Sequence, residues 1–128
     1  MKTRYKVVKK RNRTSAVVHA NSKYSLIYNP GQIVTAPEGS LGIFVFKYKR
    51  DAEHWMARID RYWSPEPENR LMMIEVEPLI RGVRQRCMSN DATTAGLDNF
   101  YNVGDYHYTV TWVVPYGTYC HQSVKVLT

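Results

Sequence analysis

The feature that most restricts the fold is an apolar run that leads directly into a strongly amphipathic segment. Residues 41–48 are almost entirely apolar, which predicts a central strand buried on both faces. Over residues 50–63 apolar side chains recur with a period of 3.6, which predicts a helix with one buried face. The side chains of that face are Ala52, Trp55, Met56, Ile59 and Trp63. A helix of this kind requires a sheet on which to pack.

Other segments rich in β-branched and aromatic residues predict further strands, about seven in total. Among them are residues 4–10, 15–20, 23–28 and 119–127. Residues 81–105 lack such a pattern and are predicted to form a long loop. The sequence therefore predicts one α+β domain over residues 1–128, either a bent antiparallel sheet or a small barrel, with the helix packed on it.

Composition excludes several classes of protein. At 44% hydrophobic residues, the chain is too apolar to be a disordered polycation. It contains neither 18 consecutive apolar residues nor the apolar stretch of a signal peptide, so we expect a cytoplasmic protein with no membrane partner. Its two cysteines, Cys87 and Cys120, form no CxxC pair, and we expect both to be reduced thiols.

Positive charge is concentrated in the first part of the chain. Residues 1–50 contain 11 of the 18 Lys and Arg residues and only one acidic residue, whereas residues 51–128 carry a small negative excess. Seven of the cations lie close to the N-terminus: Lys2, Arg4, Lys6, Lys9, Lys10, Arg11 and Arg13. A strand with such a row of charges can contact successive phosphates, so we expect a nucleic acid or nucleotide as the partner.

A second group of cations and several aromatic rings could belong to the same ligand site. Arg81, Arg84 and Arg86 lie in the predicted loop, where their guanidinium groups suit phosphate but could equally be solvated. Bases stack on exposed rings, and the candidate rings are Tyr5, Tyr24, Tyr28 and Tyr48. Tyrosines also suit half-buried sheet positions in which only the hydroxyl meets water, and the sequence leaves both interpretations open.

Two segments carry a distinctive pattern. The first reads YxxGxxVxAPxGxLGIFxF over residues 28–46 and continues into Asp51-Ala52-Glu53, and the second combines PxGT at residues 115–118 with VKVL at residues 124–127. Together they resemble a loose family of small uncharacterised proteins of phages, other viruses and bacterial mobile elements. That resemblance brings no reaction or cofactor. It implies a virus-encoded accessory role in the host cytoplasm, for instance interference with host defence.

Catalytic and metal-binding motifs are missing from the sequence. It contains no Gly-rich phosphate loop, no GxSxG and no HExxH. Cys120 and His121 are adjacent on a predicted strand and therefore point to opposite faces, which disfavours a shared metal ion. We expect neither a metal site nor a cofactor.

Three functions stay open at this stage, while the oligomeric state is not determined. The first is non-enzymatic binding of nucleic acid or nucleotide. The second is inhibition of a host complex by docking through anchor residues such as Trp63, Tyr116 or Arg84. The third is a small nucleotide-directed hydrolase or transferase, whose candidate acid–base residues are His107, His121 and Glu75.

Overall fold

The computed structural model describes residues 2–16, 25–38, 40–62, 70–84, 87–89, 111–115 and 117–128. These residues form one seven-stranded antiparallel sheet, a separate two-stranded ribbon and one helix. The strands are β1 (Arg4–Lys9), β2 (Ile33–Thr35), β3 (Ile43–Phe46), β4 (Leu71–Pro78), β5 (Val83–Arg84), β6 (Cys87–Ser89), β7 (Thr111–Val113), β8 (Thr118–His121) and β9 (Ser123–Val126), and the helix is α1 (Lys49–Tyr62). The predicted α+β class is confirmed.

The large sheet has the strand order β2-β9-β4-β1-β3-β8-β5, with β1 at its centre. Tyr5 of β1 lies opposite Phe46 of β3 on one side and opposite Glu75 of β4 on the other. The apolar run at residues 41–48 supplies β3, which is paired on both sides, as an interior strand should be. The ribbon consists of β6 and β7.

The sheet bends sharply between β8 and β9, the last two strands of the chain. β8 and β9 are separated only by Gln122, yet β8 pairs with β3 and β9 pairs with β4, on opposite sides of β1. The main-chain oxygen of Gln122 accepts a hydrogen bond from Ala36 N instead of continuing a ladder. One strand was predicted over residues 119–127, and the structure shows two. Among the strands that the structure describes, the sheet is open, with β2 and β5 at its edges, and is not closed into a barrel.

Both faces of the central strand are covered by apolar side chains. Val8 belongs to a buried cluster inside the bend, together with Val45 and Val76. Val7 belongs to a second cluster, between the sheet and α1, which includes Trp55 and Ala52. The alternation of β1 thus sends neighbouring residues into two different cores.

The predicted helix is confirmed, with a start one residue earlier and an end one residue earlier than the sequence indicated. Ala52 and Trp55 are buried, and the Trp55 ring lies 6.2 Å from that of Phe46. Asp51 lies in the first turn, where a negative charge complements the helix dipole. Within the described ranges, no helix is both long enough and apolar enough to span a membrane.

Several predicted features lie wholly or partly outside the described residues. Residues 15–20 and 23–28 were expected to form strands; of these, Ser15 and Ile27 form only isolated bridges, to Val8 and Thr14. Two short strands, β5 and β6, lie within the predicted loop at residues 81–105. Five candidate functional residues of the sequence analysis lie outside the described ranges: Tyr24, Trp63, Arg86, His107 and Tyr116.

Candidate functional site

The N-terminal cations divide into exposed and buried groups. Lys2, Lys10 and Arg11 are exposed, and Arg4 is half-buried. Lys6 and Lys9, by contrast, are buried. The expected continuous row of phosphate contacts along β1 is therefore interrupted, because both faces of this strand are covered by other parts of the chain.

Lys6 points into the bend of the sheet. Its Nζ donates a hydrogen bond of 2.9 Å to the main-chain oxygen of Phe44 and lies 5.0 Å from the centre of the Tyr28 ring. Desolvation by burial lowers the pKa of Lys6 to about 8, and the nearby Cys120 thiol opposes this shift. An ammonium group held in this way is unavailable to an external phosphate.

Tyr28 occupies the same buried cluster, with 1% of its surface exposed. Desolvation raises the pKa of its hydroxyl, and a hydrogen bond with the Ser15 side chain acts in the opposite direction. A ring without an exposed face cannot receive a base, so Tyr28 is excluded as a stacking residue. Cys120 is a free, buried thiol, and burial raises its pKa as well.

Arg13 binds main-chain oxygens within the protein. Its Nε donates to Tyr28 O at 2.6 Å, and its Nη2 donates to the main-chain oxygen of Thr128. Its backbone has φ +59°, an uncommon conformation for a residue other than glycine. Burial also lowers the pKa of Lys9. Arg13 and Lys9 therefore contribute to the fold rather than to an exposed cationic surface.

The second cationic group and the proposed acid–base residues are dispersed. Arg81 and Arg84 are exposed, with Arg84 on edge strand β5, three strands from β1. His121 pairs with Ile43 and shares the inner face of the bend, whereas Glu75 lies opposite Tyr5 on the helix side. His121 and Glu75 therefore do not share a site. The two arginines likewise do not join the N-terminal cations at one site.

His121 is itself held firmly in the fold. Its Nδ1 lies 2.6 Å from the main-chain oxygen of Ile80, to which it donates as an N–H, while Nε2 is buried without a hydrogen-bond partner among the described residues. A Cβ added at Gly82 would lie 2.4 Å from the imidazole ring. Gly82 thus approaches the ring so closely that a larger residue would not fit there.

A cleft of about 560 Å³ lies beside the first half of α1. Its walls are formed by Tyr48, Arg50, Asp51, His54, Trp55, Arg58, Val114 and Pro115. Most of these side chains come from the helix and the residue before it, and the facing wall is the segment between β7 and β8. Its volume lies in the range of sites that hold a small organic ligand.

Tyr48 is the most accessible aromatic ring of this cleft. It is 44% exposed, and two cations approach it: Lys47 Nζ at 5.5 Å and the Arg50 guanidinium carbon at 5.8 Å from the ring centre. A Cβ at Gly117 would lie 3.1 Å from the ring, so the turn before β8 supports it from behind. Of the three stacking candidates within the described residues, Tyr48 is the one that is exposed, since Tyr28 is buried and Tyr5 packs against the helix cluster.

The cleft also contains basic residues that the sequence interpretation missed. Arg50, His54 and Arg58 follow one another at intervals of four residues and so lie along one side of the helix. The guanidinium of Arg58 lies 6.0 Å from the centre of the Trp55 ring. The four-residue spacing was present in the sequence, but the helix was interpreted only from its apolar face. In the described ranges, no three His, Cys, Asp or Glu side chains converge as metal ligands would.

The fold and the cleft together define a small α+β protein with a cationic cleft and an exposed tyrosine at its rim. No family model, no curated protein and no solved structure matches the chain. The resemblance to viral and mobile-element proteins therefore stays a prediction.

Proposed function

We propose that the chain is a non-enzymatic binding protein for nucleic acid or nucleotide and that the ligand occupies the cleft beside α1. One observation carries this proposal: the exposed Tyr48 lies close to both Lys47 and Arg50 at the rim of a cleft whose wall includes Arg58. An exposed ring offers a stacking surface for a base, and cations beside it can neutralise the attached phosphate.

Charge across the rest of the molecule supports the same ligand class. The formal net charge is +7, so anionic ligands are attracted from a distance. Lys2, Lys10 and Arg11 are exposed and would add to that attraction. Buried or internally bonded cations such as Lys6 and Arg13 play no part in the proposed contact.

Fluorescence anisotropy with labelled oligothymidylate, and competition by thymidine monophosphate, tests this proposal. Tyr48→Ala is expected to weaken binding by about ten- to hundred-fold, the range found when a stacking ring is removed. Tyr48→Phe is the matched control and retains binding, because stacking needs the ring and not the hydroxyl. Binding of Tyr48→Ala with wild-type affinity would refute the cleft as the site.

The biological role that we propose with this activity is a virus-encoded accessory one, acting in the host cytoplasm. The pattern over residues 28–46 and the PxGT and VKVL segments are the support for it. Sequestration of a nucleic acid or nucleotide would be a simple way for a small binding protein to interfere with host defence.

A second candidate function is docking on a host protein. Leu79, Ile80 and Val83 are exposed close to edge strand β5, and Arg84 lies beside them. Exposed apolar residues next to an arginine are typical of interface anchors. Val83→Ser with Ile80→Ser would abolish such docking and leave oligothymidylate binding unchanged, which separates the two candidates.

A further inference from the structure

We infer that the ligand of the proposed function is a single strand of nucleic acid, whose successive phosphodiester groups contact Arg50, His54 and Arg58. This inference rests on the proposed function and goes beyond it in two respects. It names single strands within the ligand class, and it places the phosphodiester chain along α1.

The spacing of the three residues is the first argument. In an α-helix, a step of four residues advances about 6 Å along the axis, so the three side chains cover about 12 Å. All three line the cleft. A lone nucleotide has its phosphate at one end and would engage one or two of them, whereas an extended strand presents phosphodiester groups at a repeat similar to the helical step.

The exposed ring supplies the second argument. Tyr48 lies two residues before Arg50 at the same rim of the cleft. A base can stack on this ring only if it is unpaired, since the faces of a paired base are covered by its neighbours in the duplex. Stacking at Tyr48 followed by phosphate contacts along the helix therefore fits a single strand better than a duplex.

Charged and polar groups surround His54 in the cleft. The titratable and charged groups that share the cleft are Asp51 one turn before it, the guanidinium groups of Arg50 and Arg58 on either side, and the Tyr48 hydroxyl. The facing wall, Val114 and Pro115, carries no charge. His54 is exposed, so its ring can reach a ligand.

An imidazole ring carries an N–H group that can donate a hydrogen bond to a phosphate oxygen. His54 can therefore join Arg50 and Arg58 in contacting a phosphodiester chain. Removal of this donor should weaken the binding of a chain that spans the row and should not affect the binding of a single phosphate.

Short oligothymidylate is the appropriate probe, because it offers successive phosphodiester groups, and thymidine monophosphate offers a single phosphate for comparison. We expect His54→Ala to bind oligothymidylate about five-fold less tightly than wild type, the contribution of one hydrogen bond. His54→Lys should retain tight binding, because it places another donor at the same position. The affinity for thymidine monophosphate should be equal in all three proteins.

Two results would overturn the inference and leave the proposed function intact. One is a His54→Ala variant that binds oligothymidylate with wild-type affinity while Tyr48→Ala and Arg50→Ala lose binding. The other is equal affinity for oligothymidylate, thymidine monophosphate and a hairpin duplex. Wild-type binding by Tyr48→Ala would instead refute the proposed cleft itself. Circular dichroism checks that each variant is folded.

Discussion

The ammonium group of Lys6 lies 5.0 Å from the centre of the Tyr28 ring inside the bend of the sheet. Both side chains are buried, and Lys6 also donates to the main-chain oxygen of Phe44. These two contacts compensate in part for the loss of water, and burial nevertheless lowers the pKa of Lys6 to about 8. A residue that contributes to the positive charge of the sequence is thus part of the core.

This burial predicts that stability depends on pH through Lys6. Below about pH 8 the amine is protonated in the folded and unfolded states alike, and the fold bears the cost of the buried charge. Between about 8 and the unfolded value of 10.5 the folded protein has released the proton and the unfolded chain has not. The free energy of unfolding should therefore increase with pH in this window, by about 3 kcal/mol for such a shift.

Urea denaturation of the wild-type protein and of Lys6→Met across this range measures the effect. Raised pKa values of Tyr28 and Cys120 destabilise the fold at high pH, and the difference between the two proteins cancels the part of this effect that does not depend on Lys6. The free energy of unfolding of the wild-type protein should increase relative to that of Lys6→Met as the pH rises. A difference that stays constant with pH would show that Lys6 does not release its proton in the folded state.

Arg13 is predicted to affect stability and not ligand affinity. Arg13→Lys loses the paired donation to Tyr28 O and the oxygen of Thr128, because a single ammonium group cannot reproduce the guanidinium geometry. We expect a loss of about 1.5–3 kcal/mol in the free energy of unfolding, as for other hydrogen bonds of charged groups. At a temperature where the variant is folded, its affinity for oligothymidylate should equal that of wild type. A ten-fold loss of affinity would show that Arg13 contacts the ligand.

Two glycines with positive φ should respond differently to alanine. Gly31 has φ +82° and open space around it, so Gly31→Ala bears only the backbone strain, about 1–2 kcal/mol. Gly42 has φ +120°, and an added Cβ would lie 2.9 Å from the main-chain oxygen of His121. Gly42→Ala should be the more destabilising of the two, by about 1–3 kcal/mol beyond Gly31→Ala. Thermal unfolding of both variants makes the comparison, and equal melting temperatures would contradict the close approach of β3 and β8.

Salt dependence should reveal the number of phosphate contacts. For single strands, the logarithm of affinity falls with the logarithm of salt concentration by about 0.7 for each phosphate contacted. Contacts by Arg50, Arg58 and Lys47 would give a slope of about −2. Arg58→Ala should reduce its magnitude by about 0.7. An unchanged slope would show that Arg58 makes no phosphate contact.

Local patterns of the sequence were sufficient to predict the helix and the interior strand before it. Ala52 and Trp55 recur at helical spacing, and a helix with that spacing places both side chains on one buried face. The bend at Gln122 could not be predicted in the same way. Residues 119–127 have the composition of one strand, and their division depends on pairing with β3 and β4, which come from distant parts of the chain.

The candidate site was predictable in kind but not in position. From the sequence alone, Tyr48 and Tyr28 are equally good candidates for base stacking. In the structure Tyr48 is 44% exposed and Tyr28 is 1% exposed. The difference arises because Tyr28 lies where the bend of the sheet closes around it, whereas Tyr48 follows β3 at the surface. Exposure is a property of all the surrounding chain, so no local pattern indicates it.

The sequence by itself determined that this protein is a small α+β domain with an excess of positive charge in its first fifty residues. Composition, periodicity and charge are properties of the chain and persist in any fold it adopts. The tertiary structure decided which of those charges meet solvent: Lys6 enters the core, Arg13 binds main-chain oxygens, and Arg50 lines a cleft. The physical reason is that strand alternation assigns side chains to faces, whereas long-range packing decides which faces are covered.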